Sequence, residues 1–154
     1  MNIINAQVEV LKEALNVKRK RKVIYGTLND KVLIGNDARL YVIPKEECAI
    51  DLTNVACVQV LQKSTVERFV NNSEYEELTL TSNIRVLDDK ITLRVFTNGK
   101  ENIYLDERLI KNFDLKKSTF KGKGARSIVY IYEDEVMVGF LLPVNVKWKE
   151  MNKC

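Results

Sequence analysis

The chain has 154 residues, of which 45% are hydrophobic and 30% charged, and a net charge of +4. That balance excludes a disordered chain, and the length suits one domain, residues 1–154, able to bury roughly two thirds of the surface its unfolded form exposes. There is no histidine, which removes Ser-His-Asp and Cys-His catalysis and all imidazole metal ligation; no catalytic residue, metal site or cofactor is expected. Cys48, Cys57 and Cys154 are widely spaced and form no CxxC pair, so they read as reduced thiols of a cytoplasmic protein, the first two half buried. No run approaches the roughly 20 apolar residues of a membrane span, and the first residues carry no secretory pattern.

In chain order, Asn5 is placed to cap a helix to about Val17, with Val8, Leu11 and Leu15 as its buried stripe and Glu9, Lys12, Glu13 and Asn16 facing water. The period then changes to that of strands at 22–28, 31–34 and 39–43, separated by Asn29-Asp30 and Gly35-Asn36-Asp37 and ended by Pro44. Cys48–Leu52 and Val55–Leu61 have strand character, and Ser64-Thr65-Val66-Glu67 matches a capping box opening a short helix through Val70. Asn71-Asn72-Ser73 reads as an exposed connection.

Strands are expected again at 77–81, 84–87 and 90–96, the last joined through Asn98-Gly99, a type I′ hairpin signal, to 101–105. Asp106 caps a helix from Glu107 to about Phe113, with Leu109, Ile110 and Phe113 inward. Lys116–Lys123 reads as an edge strand or basic loop. The runs 127–132 and 136–142 flank the acidic turn Glu133-Asp134-Glu135. Ile128, Tyr130 and Tyr132 point to one face and Val129 and Ile131 to the other, so this hairpin is expected to be the spine of a sheet that is covered on both sides or pairs with another chain.

Charge is segregated. Lys18, Arg19, Lys20, Arg21 and Lys22 form one basic group; Lys116, Lys117, Lys121, Lys123 and Arg126 form another with no acid between them in sequence. Together they exceed the whole net charge, so the rest of the chain is net acidic. Two such patches suit phosphate contacts, although solvated Lys/Arg at a loop and a strand edge have the same composition. Asp88-Asp89 and Glu133-Asp134-Glu135 read as turn formers rather than a Mg²⁺ site. Lys121-Gly122-Lys123-Gly124 lacks the spacing and Ser/Thr of a Walker sequence and reads as a basic loop. Trp148 and Tyr132 read as cover for a core edge before base-stacking platforms.

An order repeats along the chain. A short strand at Ile3-Ile4, a helix and three strands ending in Pro44 are matched by 101–105, a helix and three strands ending in Pro143. The half-motifs span about 1–44 and 100–148, with 45–99 connecting them. The expectation is an α+β fold, a pseudo-symmetric β-α-β-β-β repeat of antiparallel sheets with two helices on one side. The segments AQVEVLKEALNV (6–17), KVIYGTLNDKVLIGNDARLYVIP (22–44), IYLDERLIKNF (103–113) and SIVYIYEDEVMVGFLLPVNV (127–146) resemble a single domain of the bacterial sliding clamp, the DNA polymerase processivity clamp family.

That resemblance implies a clamp-like, non-enzymatic DNA-binding or replication accessory protein. Helices would line a DNA-facing surface and sheet edges would join subunits into a homo-oligomer, six copies by the family's domain count. The ten basic residues above would be its duplex DNA contacts. One departure stands out: Glu9 and Glu13 outnumber Lys12 on the outer face expected for the first helix, where encircled DNA favours cations. The alternative is a protein-binding module, encoded by a phage or mobile element, that engages a host or replication protein through apolar surface and sheet edges.

Overall fold

Strands with apolar residues at nearly every position need cover on both faces of their sheet, and 31–36, 39–44 and 129–133 have that character. The computed structural model, which describes residues 1–18, 21–71, 75–87 and 90–146, places all three in one ten-stranded sheet. The elements in order are α1 (Ile3–Leu15), β1 (Val23–Leu28), β2 (Lys31–Asn36), β3 (Arg39–Pro44), β4 (Val58–Val60), α2 (Lys63–Val70), β5 (Glu76–Leu87), β6 (Ile91–Thr97), β7 (Asn102–Asp106), α3 (Glu107–Ile110), β8 (Ser118–Gly122), β9 (Val129–Glu133) and β10 (Val136–Leu141). Across the sheet the strands run β4-β1-β2-β3-β10-β9-β8-β5-β6-β7. Every neighbouring pair is antiparallel except β1 with β4, which makes the sheet mixed and the fold α+β.

Alternation along the strands sorts side chains into two cores. On one face Val23, Val32, Ile34, Tyr41, Ile43, Val129 and Ile131 pack with Ala6, Val10 and Ala14 of α1 and Ile110 of α3. On the other Leu28, Leu33, Leu40, Val42, Tyr130 and Phe140 pack with Val66 of α2. Two helices therefore share one side, as expected, and a third covers the opposite side. Strand β5 shifts register against β6 between Leu80 and Ile84, a bulge of the kind that bends a strand. Phe96, Ile103 and Leu105 of β6 and β7 thereby join the α1 side, with the Phe96 and Phe120 rings 4.7 Å apart.

The meander and the final hairpin form as expected, with Asp134 and Glu135 both at positive φ in a two-residue turn. Other expectations need correction. Ile3 and Ile4 lie inside α1, whose cap is Asn2: its side-chain oxygen accepts the Asn5 N–H at 3.0 Å, so the first half has no leading strand. No strand forms at Cys48–Leu52, and only 58–60 of the next run pairs. Helix α2 forms, but with Gln62 at its cap position and no side-chain bond there, so the capping box is not used. The expected strands 77–81 and 84–87 are one continuous β5. Asn98 and Gly99 belong to a four-residue connection between Thr97 and Asn102, because Asn98 Oδ1 accepts the N–H groups of Lys100 and Glu101. Helix α3 stops at Ile110, though Phe113 is still buried and Leu109 half-buried. Strand β8 lies inside the sheet between β9 and β5, not at an edge.

Gly35 marks where β2 turns back into β3: at φ +157° a Cβ there would lie 2.1 Å from the Arg39 carbonyl oxygen. Because that obstacle is backbone, Gly35→Ala is expected to cost about 3 kcal/mol in urea unfolding; a variant within about 0.5 kcal/mol of the parent contradicts the close approach.

Candidate interaction surfaces

Two stripes compete on α1. Ala6, Val10 and Ala14 recur at i, i+4, i+8, and Ile4, Val8, Leu11 and Leu15 recur at spacings of four, three and four. The expected burial of Val8, Leu11 and Leu15 is corrected by the structure: the small-residue stripe is buried, while Ile4 is 74%, Val8 43%, Leu11 37% and Leu15 68% exposed.

The reason is polar. Glu9, expected to face water, turns toward the sheet and accepts from Arg39 Nη2 at 3.2 Å, Tyr41 OH at 3.1 Å and Asn112 Nδ2 at 2.7 Å, and it also pairs with Lys111. Glu13 accepts from Asn36 Nδ2 at 3.1 Å. Gln7 on the flank bonds the backbone at both Glu47 and Ala49. Arg39, 7% exposed, donates through Nη1 to the carbonyls of Arg108 and Leu109 and lies 4.7 Å over the Tyr41 ring. Burial alone would raise the Glu9 pKa. The Lys111 hydrogen bond, the charges of Arg39 and Lys111 and the Tyr41 bond outweigh it and hold the carboxyl below its ordinary range. Burial pushes the Tyr41 hydroxyl well up. Sequence reading missed this network because its members are scattered; the one available signal was a helix with apolar spacing on two sides.

Among the described residues, the second basic group is not gathered into one patch. Arg19 and Lys20 lie outside the described residues. Lys18, Arg21 and Lys22 are exposed beyond the C-terminal end of α1, with Arg21 3.5 Å from Asp37. The second group is divided by β8. Lys116 and Lys117 precede the strand, at the end where Ser118 pairs with Glu133; Lys121, Lys123 and Arg126 lie at the other end. That end is the one at which β1 begins, five strand steps or roughly 24 Å away. Register also brings acids alongside: Glu76 and Glu77 of β5 stand opposite Gly122 and Lys121. Lys121 Nζ lies 4.8 Å over the Tyr132 ring and Lys123 Nζ 5.1 Å over Tyr75. Lys123 and Arg126 share a cleft of about 610 Å³ with Arg85, Tyr104 and Glu101.

Glu133 is engaged by the Met1 ammonium and Ser118 Oγ, Asp88 and Asp89 lie outside the described residues, and no group of three potential metal ligands occurs among the described residues. Cys48 is half-buried, but Cys57 is exposed, not half buried as expected, and Cys154 and Trp148 lie outside the described residues. The outer strands of the sheet are β4, three residues long, and β7, whose Tyr104 carbonyl already accepts the Val144 N–H at 2.8 Å. No helix among the described residues is long and apolar enough to cross a membrane.

Comparison with protein-family models, with curated proteins and with solved structures finds nothing that matches this chain.

Because Glu9 has a lowered pKa when folded, its contribution to stability is present above the ordinary value of 4.5 and is lost as pH falls through the lowered one. With the Glu9 side chain 24% exposed, Glu9→Gln is expected to cost about 2 kcal/mol at neutral pH by leaving Arg39 under-paired, and much less near pH 3. An equal deficit at both pH values in urea unfolding contradicts the assignment.

Proposed function

We propose that the protein is a non-enzymatic protein-binding module that docks a partner helix along the outer face of α1. The observation that carries this reading is the exposed run Ile4, Val8, Leu11 and Leu15. Its spacing alternates four and three residues, as along the seam of a helix that packs against another helix. Apolar side chains scattered singly over a surface need no explanation, but four aligned on one helix do.

The recurrence of helix and three strands on either side of the β3–β10 pair, with α1 and α3 on one face, supports a clamp-like domain. In that setting the module is a replication accessory or a phage or mobile-element adaptor acting on a host protein. An α1 face of apolar residues supports protein over DNA as the ligand there, since phosphate contacts require cations. A second reading, duplex DNA bound across the β1 and β8 ends of the sheet, is favoured by the paired Lys121–Tyr132 and Lys123–Tyr75 contacts and opposed by Glu76 and Glu77 beside them.

A stripe kept for docking contributes little to the fold of the single chain. Ile4→Lys and Leu15→Lys are each expected to leave the melting temperature within about 2 °C of the parent; a fall of 5 °C or more, on the same scale, assigns the stripe to the core and overturns the module reading. Filter retention of duplex DNA decides the second reading. The module reading expects none near 0.15 M salt; retention that falls steeply with salt and disappears in Lys121→Gln/Lys123→Gln/Arg126→Gln establishes DNA as a ligand.

A further inference from the structure

We propose that the helix docked on α1 is the α1 of a second copy of this chain, laid antiparallel so that a two-fold axis passes between Val8 and Leu11. This inference rests on the docking reading above and names its partner.

The stripe is its own complement. Spacings of four, three and four read the same in both directions, so an antiparallel copy sets Ile4 against Leu15 and Val8 against Leu11 at every layer. Such a self-matching surface is what an isologous two-fold contact requires. On the water-facing flank of the seam stand Asn5 and Lys12, and antiparallel pairing brings Asn5 of one copy near Lys12 of the other, which places no like charges together.

Charge at the two ends of the helix points the same way. Around Met1 to Ile4, at the start of α1, two adjoining pockets hold six carboxylates, Asp30, Glu46, Glu47, Asp114, Glu133 and Asp134, against four cations, Lys31, Lys111, Lys117 and the Met1 ammonium. Beyond Leu15 come Lys18, Arg21 and Lys22, all exposed. An antiparallel pair lays the acidic end of each copy beside the basic end of the other and opposes the two helix dipoles; a parallel pair sets like ends together. Helix α1 has 13 residues and is therefore about 20 Å long. One such helix pair buries less than the roughly 1,000 Å² of a stable interface, so the dimer is weak, with a dissociation constant between micromolar and millimolar.

The test is solution mass by sedimentation equilibrium from about 10 µM to about 1 mM, the range that brackets that affinity. The parent chain is expected to rise from 17.8 kDa toward twice that mass. Ile4→Glu alone and Leu15→Lys alone each weaken association about tenfold, by placing a charge against an apolar side chain. The double variant Ile4→Glu/Leu15→Lys recovers about fivefold over either single variant, because each new carboxylate then faces a new ammonium across the axis. A double variant weaker than both singles overturns the antiparallel arrangement, and singles that dimerise like the parent place the contact elsewhere and overturn the proposal. A parent that stays monomeric through about 1 mM overturns the second copy as partner. That result leaves the docking reading to its own test, the unchanged melting temperature of the stripe variants.

Discussion

The structure depends on the burial of one guanidinium. Arg39, at the start of β3, sits under α1 with its charge met by Glu9 and its Nη1 donating to two carbonyls of α3. Its Nε has no partner among the described residues. A buried charge that loses its counter-ion costs about 3–5 kcal/mol, more than full burial of one leucine returns. The rotation of α1 is therefore set by where Glu9 must be. Once Glu9 and Glu13 face the sheet and Ala6, Val10 and Ala14 fit the close approach, the larger apolar side chains are turned outward. A polar requirement inside the molecule thus produces an apolar surface outside it.

The same network joins the two halves of the chain. Glu9 belongs to the first half, while Asn112 and Lys111 follow α3 in the second, and Asn112 also donates to Tyr41 at 2.8 Å. Both helices are fixed relative to β3, and through β3 to β10, with which it pairs at Arg39–Tyr41. Gly139 permits that junction: a Cβ there would lie 2.7 Å from the Phe113 ring and 2.8 Å from the Leu40 carbonyl oxygen.

What could be read from the sequence was whatever depends on local chemistry. The Asn29-Asp30 turn, the Asp134-Glu135 turn and the double-sided apolar runs of β2, β3 and β9 follow from turn geometry and from the period of a strand, and they lie where those rules put them. What could not be read depends on partners far away. Nothing within α1 says that Arg39, thirty residues on, will claim Glu9, so hydrophobicity alone selected the wrong stripe. Nothing in the run Lys116–Arg126 says that β5 will bring Glu76 and Glu77 beside it. Asn98-Gly99 failed differently: the Asn98 side chain closes a longer loop on its own backbone, a local alternative to the two-residue turn.

The join at the middle of the sheet has a kinetic consequence. Hairpins such as β1–β2, β2–β3 and β9–β10 connect residues only a few positions apart and close quickly. By contrast, Tyr41 and Gly139 are nearly a hundred residues apart and meet across only three paired positions. Chain entropy opposes that closure until both meanders exist to reward it, so the search for β3 by β10 governs the speed of folding. Until it succeeds, each half carries an unpaired, apolar strand at its rim, the state in which the chain is most open to pairing with the wrong partner.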